Sequence, residues 1–190
     1  MHRLGLIVGS TRQGRFADHP AQWLMRHLAG SDLSVLPLDL RDFPMPFFDE
    51  VAAPAYAPVQ SIEARHWASS VASCDGYIFV TPEYNRSIPG ILKNALDYLS
   101  DEVARKPAAF VGYGGLGGAF AIQHLRTIAI ELRMIPLRDA VHIGMEPYLA
   151  VRSGDASLDD FDHLRMALQR MLDEISWWLH GQQSSTNRLT

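Results

Sequence analysis

Three short segments of the 190-residue chain concentrate groups that can hold an anion or clasp a flat polar ring. The first is Gly9-Ser10-Thr11-Arg12-Gln13-Gly14-Arg15-Phe16. Its glycines permit tight turns, its hydroxyls and backbone amides can donate to oxyanions, and Arg12 and Arg15 add charge and planar forks suited to a phosphate. No Gly-Lys-Ser/Thr follows and no Gly-x-Gly-x-x-Gly is present, which disfavours a nucleoside triphosphate or a Rossmann dinucleotide. The second segment, Thr81-Pro82-Glu83-Tyr84-Asn85-Arg86-Ser87-Ile88-Pro89-Gly90, offers a pre-set proline turn, the amide of Asn85, the hydroxyl of Ser87 and the flat amphipathic ring of Tyr84. The third runs Gly112-Tyr113-Gly114-Gly115-Leu116-Gly117-Gly118, where missing side chains let a ligand approach the backbone itself. A polar turn, a proline-rich connection and a flexible hinge are the plain structural alternatives for the three. Read together, they describe one pocket with a phosphate at the first loop and a planar heterocycle between the others, the shape of FMN.

Other chemistry-bearing residues are scattered. The eight histidines, among them His19, His66, His124 and His142, have no metal-ligand or triad spacing, and the single cysteine, Cys74, can form neither an internal disulfide nor a thiol-redox motif. No metal site is expected, and no side chain stands out as an obligatory acid or base. With 17 Lys and Arg against 21 Asp and Glu, the net charge of −4 lacks the basic footprint of a nucleic-acid binder. No apolar run approaches the roughly 18 residues of a membrane span, and no signal peptide is visible at the start. A reduced cytoplasmic setting is the expectation.

The elements that must position these loops follow from the apolar pattern. Leu4 to Val8, Val35 to Leu38, Tyr77 to Thr81, Ala108 to Val111 and Ala140 to Ile143 read as strands. Most are apolar throughout, as strands covered on both faces must be. Helical spacing lies between them at Trp23, Leu24 and Leu28, from Ile62 to Ser73, from Ile91 to Leu99, over Ala121 to Leu132, and over Leu158 to Leu179. This alternation predicts an α/β fold: a flavodoxin-like, doubly wound, five-stranded parallel sheet of order 2-1-3-4-5 with helices on both faces. Ligands then bind beyond the carboxyl ends of the strands, where all three loops fall. One domain over residues 1–181 is expected, followed by a short polar tail at 182–190. The stretch Asp42 to Pro58, with four prolines among Phe43, Phe47, Phe48 and Tyr56, reads as an ordered long loop, either surface packing or one rim of a site.

The loop motifs, with Leu92-Lys93-Asn94-Ala95-Leu96-Asp97-Tyr98, Lys106-Pro107, Gln123-x-Leu125-Arg126 and Trp177-Trp178, resemble the NADPH-dependent FMN reductase family over nearly the whole chain. The resemblance implies a noncovalent FMN whose phosphate is held by Ser10, Arg12, Arg15 and the backbone of Phe16. It places Pro82, Glu83, Tyr84, Asn85 and Ser87 against the ribityl chain and ring, and Gly114 and Gly115 at the far edge. Phe16-Ala17 stand where many relatives carry a serine-asparagine pair, which implies fewer side-chain bonds to the phosphate. The implied activity passes a hydride from NADPH or NADH through FMN to a small acceptor such as a quinone, azo compound, nitro compound or free flavin. An FMN-binding electron carrier or redox-sensing partner without rapid NAD(P)H turnover is the alternative. The resemblance also implies a homodimer or a homotetramer built from dimers, with Tyr98 either near the subunit contact or packed within its own chain.

Overall fold

The computed structural model describes residues 1–186. Five parallel strands, β1 (His2–Val8), β2 (Leu33–Asp39), β3 (Gly76–Pro82), β4 (Pro107–Tyr113) and β5 (Ile135–Ile143), form one sheet in the order β2-β1-β3-β4-β5. This is the order expected from the sequence. Every residue of the central strands β3 and β4 is buried, because helices cover both faces and leave no side of the pleat for polar side chains.

Six α-helices among the described residues complete the layers: α1 (Asp18–Leu28), α2 (Ile62–Ala72), α3 (Gly90–Asp97), α4 (Ala119–Glu131), α5 (Met145–Ser153) and α6 (Asp162–Thr186). Alternation along the strands divides the core in two. Leu4, Leu6 and Val8 face Trp23 and Leu24 of α1 and Leu164, Leu168 and Ile175 of α6. Ile7, Tyr77 and Phe79 face Trp67 of α2, Leu92 of α3 and Ile122 of α4.

The sequence pattern gives five helices, and α5 is the addition. It is short, and Pro147 within its first turn masks it, although a proline there forfeits no intrahelical hydrogen bond. The helix α6 continues to Thr186, through the first part of the segment expected as a tail, and residues 187–190 lie outside the described residues. No helix among the described residues is long and apolar enough to cross a membrane.

The loop from Asp42 to Pro58 is built onto α3. Asn94, itself buried, accepts from the Phe48 amide at 2.9 Å and donates to the Pro46 carbonyl at 2.8 Å. Tyr98 is fully buried within its own chain, its hydroxyl donating weakly towards the Pro46 and Phe47 carbonyls at 3.4 Å and its ring meeting Phe48.

Candidate functional site

The three loops emerge side by side because β1, β3 and β4 are neighbours in the sheet and all parallel. After Val8 the side-chain alternation continues into Ser10, which is buried on the α1 face, its Oγ 3.3 Å from the Tyr84 hydroxyl.

Arg15 organises the first loop. Its Nε and Nη2 donate to Asp18, Nη1 and Nη2 form a fork on Asp39, and Nη1 also reaches the Ser10 carbonyl at 2.6 Å. A guanidinium has five N–H groups, and these contacts use all five. The fork on Asp39 raises the Arg15 pKa above its ordinary value against the opposing effect of burial. For Asp39 burial works towards a neutral acid, but the hydrogen bonds from Arg15 and the Arg41 amide prevail and hold its carboxyl below its usual value. Arg15, expected to grip a phosphate, does border the cleft described below, with all five of its donors engaged within the protein on Asp18, Asp39 and the Ser10 carbonyl. Arg12 is exposed, and its guanidinium has no hydrogen-bond or ion-pair partner among the described residues.

In the second loop Tyr84 and Ser87 exchange backbone hydrogen bonds of 2.9 and 3.0 Å around Asn85 and Arg86, which both have positive φ, at 50° and 67°. That is a tight two-residue turn of the mirror-image type, usually reserved for asparagine and glycine. Arg86 adopts it while stacking over the Phe120 ring at 4.5 Å. The Glu83 carboxylate accepts from the Phe120 amide at 3.0 Å, capping the first turn of α4, and the Glu83 amide donates to the Tyr113 carbonyl at 3.0 Å. The second and third loops are thus tied together. Within the third, Gly118 has φ of 72°, and a Cβ there would come 2.7 Å from the Cα of Gly112, so only glycine permits this closure.

Arg12, Arg15, Phe16, Pro82, Glu83, Tyr84 and Gly114 border a single cleft of about 310 Å³. Tyr113, Met145 and Tyr148 complete it. Ser10, Asn85, Ser87 and Gly115 are not among its lining residues, although Ser10 lies behind the wall against the Tyr84 hydroxyl. Ser87 turns instead to His124, 2.9 Å away, beside a separate cavity of about 490 Å³. A larger cavity than the cleft, about 550 Å³, lies between residues 53–56 and helices α3 and α4, and includes none of the three loops. The Asp42 to Pro58 loop therefore borders that groove and not the cleft.

One wall of the cleft is aromatic, and beyond Phe16 its residues Tyr113 and Tyr148, with Met145 beside them, were not anticipated from the sequence. Phe16 packs against Tyr148 and Tyr113 with ring centroids 4.5 and 5.2 Å away, and the two tyrosines lie nearly parallel at 6.5 Å. Tyr113 was within reach of sequence reasoning, since it follows Ala109 and Val111 at period two, whereas Met145 and Tyr148 ride on the unforeseen α5. The Tyr148 hydroxyl receives a hydrogen bond from Arg152 at 2.7 Å. The Tyr113 hydroxyl is buried and has no hydrogen-bond partner among the described residues. Burial, then the neighbouring Tyr84, push its pKa well above the ordinary tyrosine value, the nearby Ser10 opposing this without a bond of ordinary geometry.

Residues 2–147 match the family described as NADPH-dependent FMN reductase. The NAD(P)H-dependent FMN reductase ntnL of a Nectria species is 38% identical over 166 residues, spanning 81% of this chain and 83% of that protein. A 2-hydroxy-1,4-benzoquinone reductase from a Burkholderia species is 28% identical across 95% of this chain and 98% of its own length. Among solved structures, the NAD(P)H:(acceptor) oxidoreductase FerB from Paracoccus denitrificans superposes with a TM-score of 0.74 at 22% identity, covering 95% of this chain and 98% of that one, a likeness of fold.

Proposed function

Since the chain belongs to the NADPH-dependent FMN reductase family, and is thus an FMN-dependent NAD(P)H oxidoreductase, we propose that the cleft at the ends of β1, β3 and β4 is its flavin site, with quinones as acceptors. The observation that carries the reading is the convergence of an unpaired arginine, an unpaired buried hydroxyl and two backbone-rich loops on that one cleft. These groups suit FMN: the cation matches a phosphate, and the Pro82–Tyr84 and Gly114 walls offer flat, amide-bearing surface to a ring.

FMN, when bound, supplies the redox chemistry, taking a hydride from NAD(P)H and passing two electrons to the acceptor. The chain's residues bind and orient. Arg12 supplies the positive charge for the phosphate, Ser10 a hydroxyl, and Arg15 shapes the loop from behind. Glu83 acts through its carboxylate on α4, which holds the glycine loop against the Pro82–Tyr84 loop, and Gly114 keeps the approach to that backbone open. No side chain is assigned as an obligatory acid or base. The quinone assignment draws on the name of the Burkholderia relative; azo compounds, nitro compounds and free flavin are further acceptors of the same electrons. Exposed Tyr56 and Ile130, on and beside the 550 Å³ groove, support pairing of two copies as a homodimer, and a setting rich in NAD(P)H, the cytoplasm, suits the activity.

The test is spectroscopic. The protein reconstituted with FMN should be yellow, should bleach promptly when NADPH or NADH is added without oxygen, and should regain its colour when a benzoquinone follows. A protein that holds FMN but stays oxidised under both nucleotides would reject the reductase.

A further inference from the structure

One polar group at the cleft is left over after the contacts above are assigned. The Tyr113 side chain is 5% exposed, and its hydroxyl is shut off from solvent without a hydrogen bond. The other two tyrosine hydroxyls of the cleft are engaged, Tyr84 with Ser10 and Tyr148 with Arg152. A buried hydroxyl left unpaired forfeits the hydrogen bond it would make to water, so its persistence beside a ligand-sized cleft calls for an acceptor that a ligand brings.

The direction of the side chain says which part of the ligand that is. Tyr113 belongs to the same strand face as Ala109 and Val111, the face covered by α1 and α6, and it packs on Phe16 in the first loop. Its backbone stands at the glycine loop, where its carbonyl accepts from Glu83, but its ring points back towards the anion loop and Ser10. Two side chains of that loop have no donor to spare for a ligand. Arg15 has given all five of its N–H groups to Asp18, Asp39 and the Ser10 carbonyl, and position 16 carries a phenylalanine with no polar side-chain atom.

We propose that the Tyr113 hydroxyl donates a hydrogen bond to the FMN phosphate, adding from β4 a donor to those of the first loop. This rests on the cleft's being the FMN site. The raised pKa is consistent with it, since the hydroxyl keeps its proton, and so remains a donor, through neutral pH. The Phe16 ring is then part of the device: it fills the space a shorter polar residue would leave and buttresses the tyrosine.

The experiment compares the protein with Tyr113→Phe, which removes one oxygen and keeps the ring packing. FMN and riboflavin are titrated by flavin fluorescence, and the 31P resonance of bound FMN is recorded. The variant is expected to bind FMN about tenfold more weakly, as for loss of a bond to a charged acceptor, with riboflavin affinity unchanged and the 31P shift displaced. Without flavin it should melt at the same or a higher temperature, because an unpaired buried hydroxyl has gone. Equal losses for FMN and riboflavin would move the hydroxyl to the ring or ribityl chain and overturn the proposal, as would unchanged FMN affinity. If the unaltered protein binds neither flavin, the FMN site itself is rejected and the proposal falls with it.

Discussion

Arg12 and Arg15 are three residues apart in one loop, and by residue type they are interchangeable candidates for an anion. Their surroundings separate them. Arg15 lies between two carboxylates and a carbonyl, while the charge of Arg12 is free to act on a ligand. Arg12→Ala should leave flavin-free stability unchanged and weaken FMN binding by about 1.5 to 3 kcal/mol. Arg15→Ala should lower flavin-free stability by about 2 to 4 kcal/mol, because it strands Asp18 and Asp39 beside each other. Urea unfolding without flavin and an FMN titration read the two effects separately; equal losses of stability in both variants would refute the division of labour. Asp39 adds a pH dependence. Its folded-state pKa is depressed, so its contribution is fully present above its unfolded pKa, near 3.9, and is lost as pH falls through the lower folded value. Asp39→Asn should therefore be less stable than the unaltered protein at pH 7, with the gap closing under acid; a gap independent of pH would contradict the ion pair. Sequence alone revealed the loop and its arginines, but Asp39, the distant one of the two carboxylates on Arg15, sits 24 residues away at the end of β2, and only the parallel pairing of β1 with β2 brings it there.

At the scale of elements, the strands were legible because each is a short apolar run, and their order followed from alternation with helices. What stayed hidden were short or irregular pieces. The nine-residue α5 carries a proline and a tyrosine where periodicity needs plain helix formers, and with it went Met145 and Tyr148. The fate of the Asp42 to Pro58 loop was equally out of reach, since it is fixed by Asn94 and Tyr98 of α3, nearly fifty residues downstream. Asn94 makes both of its bonds to loop backbone in a buried setting, so it acts as a clamp on a segment that otherwise has no regular structure. Asn94→Ala should cost about 1 to 3 kcal/mol and should expose the loop locally before the whole chain unfolds. Limited proteolysis is the measurement, with new cleavage expected between residues 46 and 58; a variant cut no faster there than the unaltered chain would show that the prolines hold the loop unaided.

At the scale of the molecule, the cleft sits where the two cores meet the same sheet. Strands β1, β3 and β4 supply its three loops, and these strands carry side chains into both the α1–α6 layer and the α2–α3–α4 layer. A ligand in contact with all three loops is therefore coupled to unfolding of the whole chain and not to opening of one lid. The net charge of −4 conceals this local arrangement, because Asp18 and Asp39 occupy Arg15 and leave the Arg12 guanidinium to meet an anion. Binding to the folded state alone stabilises by RT ln(1 + [L]/Kd), about 2.7 kcal/mol at a ligand concentration of 100 Kd. For a domain of this size each kcal/mol moves the midpoint by roughly 2 to 4 °C. Saturating FMN should therefore raise the melting temperature by about 5 to 10 °C with one cooperative transition preserved, whether followed by far-ultraviolet circular dichroism or by tryptophan fluorescence. Trp23 and Trp67 report on opposite layers, since each is buried in a different core. The chain has four tryptophans, so two variants that keep only Trp23 or only Trp67, the other three replaced with phenylalanine, give a reporter for each side of the sheet, and FMN should shift both traces equally. A shift confined to the Trp23 side would mean that the ligand secures only the α1 face, and that the glycine and Pro82–Tyr84 loops do not transmit its binding to α3 and α4.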